Sequence, residues 1–160
     1  MLKIAQFIST VLNPITLLFP VAYLLVLRQT GNKELALFWE VISVIFILIV
    51  SIFILIGVEE KIFSDFDISK RKQRPLLFTF TIGLSAIYTI LLYLLKAPSI
   101  LFVVSFTLIL GLIVFEVVNR VTKASIHVGT ISAFATSVSL VYGGFFYLSL
   151  LLIPVVAWAR

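Results

Sequence analysis

The chain has 160 residues, 62% of them hydrophobic and only 12% charged, with a formal charge of +5 and no cysteine. A soluble domain carries roughly 45–50% apolar and about 25% charged residues, so this excess does not fit inside one small core and points to an integral membrane protein. Disulfide and thiolate chemistry are excluded. Nucleic acid is not an expected partner, because basic residues of membrane proteins gather in the loops that flank the spans.

Six apolar segments follow in chain order. The opening "MLK" precedes an apolar run too long for a cleaved signal and without a small-x-small site, so a retained first helix is expected. That helix covers about residues 7–27 and contains Pro14 and Pro20, which membrane helices tolerate better than soluble ones. "RQTGNKE" turns the chain into a second helix, about 37–57, followed by the polar stretch "VEEKIFSDFDISKRKQR". Helices at about 76–95 and 97–118 are joined by "KAPS"; "NRVTKAS" leads to a fifth at 126–141, and "YGG" to a sixth at 145–159.

The first four match the roughly 20 residues that a helix needs to cross about 30 Å of hydrocarbon. "VISVIFILIVSIFIL" is rich in β-branched residues, which favour strands in water. In lipid an unbroken apolar run of that length must satisfy its own backbone, and a helix does so. The fold class is therefore all-α: one transmembrane domain, a bundle of about six helices. The sixth segment is the exception, because fifteen α-helical residues rise only about 22 Å. The expectation is that the chain is a C-terminally incomplete piece of a longer protein.

Alternate crossings sort the cations. Arg28, Lys33 and Lys96 fall on one side; Lys3, Lys61, Lys70, Arg71, Lys72, Arg74, Arg120, Lys123 and Arg160 fall on the other, together with Glu59, Glu60, Asp65, Asp67 and His127. By the positive-inside rule the loaded face is cytoplasmic. If Arg71, Arg74, Lys123 and Arg160 serve a site, the remaining count is five against three and decides little.

Three stretches on that face, "RKQRP", "KASIH" and "VAWAR", resemble in order and spacing the signature motifs of the type 2 phosphatidic acid phosphatase superfamily, whose fold is shared with vanadium haloperoxidases. The first motif ends in Arg-Pro, matched by Arg74-Pro75. The second reads Pro-Ser-Gly-His, matched by Ser125 and His127, with Ala124 and Ile126 in the other places. The third opens with Ser-Arg, for which Ala159-Arg160 stands. The departures are specific. Asp67 occupies the place of the first motif's lysine, with Lys70 and Arg71 as the candidate substitutes. The nucleophilic histidine and the aspartate of the third motif follow its Arg and are not among these residues, so the chain as given is not expected to turn over.

The resemblance implies an integral-membrane, metal-independent phosphatase acting on a lipid phosphate or diphosphate through a phosphohistidine, with no cofactor. His127 would be the proton donor to the departing alcohol. Arg74, Lys123, Ser125 and Arg160 would bind phosphate, with Lys70 and Arg71 as further candidates. A planar guanidinium fits phosphate bidentately, and phosphoryl transfer asks mainly for positioning and charge neutralisation. Ser125 also stands where a helix cap is expected, at an end that attracts anions.

Plainer readings stand beside these. Lys70, Arg71 and Lys72 read first as topology charges that meet anionic headgroups. Trp158 is an interfacial anchor. Glu40 is expected at headgroup level, and Glu116 is expected to pair with Arg120 at i,i+4. Two other functions stay open. One is a non-catalytic membrane protein or relic of the family. The other is a Mg²⁺-dependent prenyltransferase of the UbiA type, whose aspartates would be Asp65 and Asp67. The partners expected are a lipid phosphate and the bilayer, in the cell membrane. The resemblance places such a site outside the cell, against the charge count, and oligomeric state is not legible.

Overall fold

The computed structural model describes residues 18–122 and 124–159. Among them are six α-helices and no strand: α1 (Val21–Thr30), α2 (Lys33–Glu59), α3 (Arg74–Leu94), α4 (Ser99–Val121), α5 (Ile126–Tyr142) and α6 (Leu152–Ala159). Short 3₁₀ stretches precede α3 at Arg71–Gln73 and α6 at Gly144–Leu151. The chain divides into two compact units, one of Val41–Ala124 and one of Met1–Glu40 with Ser125–Arg160.

Three helical stretches, Lys33–Glu59, Arg71–Leu94 and Ser99–Val121, are long and apolar enough to cross a membrane. Their outer faces are apolar as well. On α2 the exposed residues Leu37, Val41, Ile45, Leu48, Ile52, Leu55 and Ile56 recur every three or four positions and form one continuous stripe. Water would not tolerate so long an apolar stripe on three helices, whereas hydrocarbon is its natural solvent. The protein is membrane-embedded.

In the unit 41–124, α3 and α4 form an antiparallel hairpin about the turn at Lys96. Thr89 and Ser105 share a hydroxyl hydrogen bond across it. Helix α2 runs antiparallel to α3: Ser43 Oγ lies 2.8 Å from Tyr88 Oη, and the Phe53 and Phe80 rings stack at 3.8 Å between centroids. The loop after α2 then folds back. Phe63 N donates to Gly57 O at 2.8 Å, and the Phe63 ring lies so close to Gly57 that a Cβ there would collide with it.

In the other unit, α1 packs against the C-terminal end of α5. Tyr142 Oη donates to Leu24 O at 2.6 Å, and Arg28 lies over the Tyr142 ring at 5.8 Å. Gly143 turns the chain with φ 66° and ψ −166°, a conformation open essentially to glycine alone. The 3₁₀ stretch and α6 then run back along α5, with Ser149 Oγ donating to Ala135 O at 3.1 Å and lying 3.1 Å from Ser139 Oγ.

Several boundaries differ from expectation. The first helix does not run unbroken to Leu27: Phe19 and Pro20 form a turn, and α1 begins afresh at Val21. Residues 7–17 of that segment lie outside the described residues. Helix α2 starts four residues early because Asn32 Oδ1 accepts from Leu35 N at 3.0 Å and caps it. Helix α4 continues past Val118 to Val121, and this places Asn119 on a helix where a loop was expected. The sixth segment is half 3₁₀. A continuous α-helix from residue 145 would put Pro154 in its interior, where proline removes a hydrogen bond and clashes with the preceding turn. Starting α6 at Leu152 puts Pro154 in the first turn, where no donor is needed.

Candidate functional site

Helix α3 opens with Arg74, and Pro75 is tolerated there because a first-turn N–H has no helical acceptor. The Arg74 side chain is only 5% exposed. Its Nε donates to Ile68 O at 2.9 Å, and Nη1 donates to Asn119 Oδ1 at 3.4 Å and to Ala124 O. These three acceptors are neutral oxygens, and they orient the guanidinium.

The loop before it is built for that purpose. Ile68 is 1% exposed and has φ 45°, an uncommon conformation for a β-branched residue, and it aims its carbonyl at Arg74. Asp65 holds the loop in shape. Its Oδ1 accepts from Ser69 N and Oγ at 3.1 Å, and Oδ2 from Ser64 Oγ at 2.8 Å. Partial burial pushes the Asp65 carboxyl up, but the donors of Ser64, Ser69 and Asp67 outweigh it and hold the group below its ordinary value. The acidic stretch is thus occupied by its own loop. Among the described residues no group of three or more His, Cys, Asp or Glu side chains is arranged to hold a metal ion.

Arg71 is exposed, yet its Nη1 donates to Val121 O at 2.8 Å. Lys70 and Lys72 are exposed beside it. Asn119, on the last turn of α4 and 2% exposed, donates from Nδ2 to Arg71 O at 3.2 Å while accepting from Arg74. Sequence reading missed Asn119 because it stands first in the polar run "NRVTKAS" and looks like the start of a loop. The available signal was its place three residues after Glu116, on the same helical face.

In the other unit, Ser125 is the N-cap of α5: its backbone is extended and its Oγ accepts from Val128 N at 3.4 Å. His127 lies in the first turn, at the positive end of the helix dipole, and is 6% exposed. Ala124, the last acceptor of Arg74, is the residue that covalently precedes Ser125. Lys123 and Arg160 lie outside the described residues.

Two other acidic residues are engaged. Glu116 pairs with Arg120 at 3.2 Å, as the i,i+4 spacing implied. Glu40 has a specific partner. Its Oε2 accepts from Tyr23 N at 2.7 Å, and so α2 supplies a carboxylate to the N-terminal turn of α1 just after the Phe19–Pro20 break. Trp158 is exposed, as a lipid-facing anchor would be. No protein-family model, curated protein or solved structure matches the chain.

Proposed function

We propose that these residues belong to an integral-membrane phosphatase of the type 2 phosphatidic acid phosphatase kind, acting on a lipid phosphate or diphosphate at headgroup depth in the cell membrane. Arg74, Ser125, Lys123 and Arg160 hold the phosphate oxygens, and His127 is the acid. Lys70 and Arg71 add positive field at the rim, where a headgroup arrives.

The observation that carries this reading is the state of Arg74. A guanidinium is costly to bury, and topology or lipid attraction would leave it in the interface with the lysines beside it. Instead it is buried and held by neutral carbonyl and amide oxygens at the point where the chain leads into Ser125-x-His127. A fixed cation of that kind suits phosphoryl transfer, where charge on the equatorial oxygens must be met without reorganisation.

In the proposed reaction the P–O bond to the lipid alcohol breaks and its electron pair stays on the alcohol oxygen. Protonated His127 gives that oxygen its proton. The phosphoryl group passes to the histidine that the resemblance assigns to the third motif, outside these 160 residues. Water then releases it as inorganic phosphate, and His127 recovers a proton in that step.

The test is release of phosphate from phosphatidic acid in mixed micelles with a chelator present, by protein expressed from its whole reading frame. His127→Ala should lower the rate by about 10²–10⁴-fold, the usual worth of a positioned acid. Unchanged activity in that variant would overturn the assignment, and strict dependence on Mg²⁺ would favour prenyl transfer.

A further inference from the structure

We propose that the loop between α2 and α3 is an interfacial anchor for anionic lipid, with the Ile62 and Phe66 side chains in the bilayer and Lys70 and Lys72 meeting its headgroups. The inference rests on the membrane-embedded fold and stands apart from the phosphatase reading of Arg74.

The loop folds back along the helix it leaves. Lys61 turns the chain with φ 60°, and Phe63 N then donates to Gly57 O at 2.8 Å. The Phe63 ring packs edge-on against Phe53 at 5.7 Å between centroids, six residues before the end of α2 at Glu59. Six helical residues rise about 9 Å, so the ring lies beside the last two turns of a helix long and apolar enough to cross the membrane. Leu55 and Ile56, both exposed, bring the lipid-facing surface of α2 to the same depth.

Ile62 adjoins Phe63 in sequence and is 50% exposed, and Phe66 is 62% exposed. Solitary apolar residues on a soluble surface mean little. These two face outward from a loop whose other large apolar side chains, Phe63 and Ile68, are buried. Ties across the loop hold that division in place. Ser64 N and Oγ donate to Gln73 Oε1 at 3.1 Å, and Ser69 N and Oγ donate to Asp65 Oδ1 at 3.1 Å. The outward pair is thus part of the folded loop.

The cations stand where headgroups would be. Lys70, Arg71 and Lys72 lead into α3. Arg71 is tied to Val121 O, which leaves Lys70 and Lys72, both exposed, for the lipid. Glu59, Glu60 and Asp67 are in the same loop, yet among the described residues neither lysine is in an ion pair. Apolar side chains flanked by such cations bind a bilayer surface through buried area and attraction to anionic lipid together.

The test uses the full chain in nanodiscs, with the fluorophore NBD on a single cysteine at Phe66→Cys; the parent has no cysteine to compete. Emission should be blue-shifted, and an acyl-chain nitroxide on phosphatidylglycerol should quench it more than the same nitroxide on phosphatidylcholine. The local preference for the anionic lipid should be about fivefold or more at low salt, the worth of one surface cation, and should fall in high salt. Lys70→Gln with Lys72→Gln should remove most of that preference while emission stays blue-shifted. Water-like emission overturns the proposal, and so does equal quenching by the two lipids in the parent. Blue-shifted emission that neither lipid quenches would put a second copy of the chain over the loop, and is equally fatal. A preference that survives loss of both lysines belongs to other cations and also sinks the inference. Ile62→Cys repeats the measurement, and decides it if the label at Phe66 prevents folding.

Discussion

Replacing Arg74 with methionine tests whether the buried guanidinium is a working part of the fold. The substitution keeps a long flexible side chain and removes every donor. The bonds to Ile68 O at 2.9 Å and to Ala124 O are well within hydrogen-bond range, whereas the one to Asn119 at 3.4 Å is long and counts for little. Charged hydrogen bonds in water-soluble proteins contribute about 1.5–3 kcal/mol each, whereas polar contacts between membrane helices average ~0.6 and reach ~1.7 kcal/mol. Removing a buried charge also returns part of its desolvation cost, and that alone could make methionine neutral. What decides the sign is the nature of the acceptors. Ile68 O and Ala124 O are backbone carbonyls that the substitution cannot remove, and Ile68 is held with φ 45° to present one of them. The net loss should be about 2 kcal/mol, or roughly 30-fold in the unfolding equilibrium. Arg74→Lys keeps the charge but offers its donors from a single atom, so it should fall between parent and Arg74→Met. Unfolding by SDS titration in micelles measures the difference. A methionine variant within about 0.5 kcal/mol of the parent would refute the argument that these bonds hold the loop to α4.

Ser125→Ala should cost about 0.5–1 kcal/mol, at the low end for a cap because the bond to Val128 N is 3.4 Å; Ser125→Asp should restore stability yet weaken phosphate binding, and equal binding by both would show the serine to be a cap alone. The Asp65 carboxyl titrates below its ordinary value of 3.8, so its contribution to loop order is full above about pH 4 and is lost as pH falls through the folded value. A nitroxide at Phe66→Cys should therefore gain mobility only in acid, and Asp65→Asn should make that mobility high and independent of pH. The proposed phosphatase reading puts this face outside the cell, against the charge count. Ser64→Cys in intact cells should accordingly react with an impermeant maleimide; reaction only after permeabilisation would place the site in the cytoplasm.

Much of the architecture was legible because hydrocarbon imposes one simple demand, an apolar run long enough to satisfy its own backbone. Hydropathy marks where oil begins, however, and not where a helix does. The start of α2 at Lys33 is set by the Asn32 cap and lies outside the apolar run, and α4 carries its helix through Asn119 and Arg120 to Val121. Ser125 was readable as a cap because capping is local. The service of Asn119 to Arg74 was not, since it joins positions 45 apart and exists only once α3 and α4 have closed as a hairpin. The same holds for Glu40, whose use as a carboxylate for the start of α1 depends on a helix break that Pro20 suggests and does not fix.

The 3₁₀ stretch answers a question of length that composition had left open. The sixteen residues of the last segment as α-helix would rise about 24 Å, close to the 17-residue α5, which rises about 25 Å. Eight residues at roughly 2.0 Å followed by eight at 1.5 Å rise about 28 Å instead. Ser149, bonded to Ala135 and Ser139, shows the returning segment running antiparallel to α5. At Ala159 the backbone has therefore come back to the level of the first turn of α5, where Ser125 caps and His127 is buried. Pro154 forbids the uniform helix, and Gly143 starts the alternative. The 3₁₀ stretch thus lengthens the last segment by about 4 Å over an α-helix of the same residues.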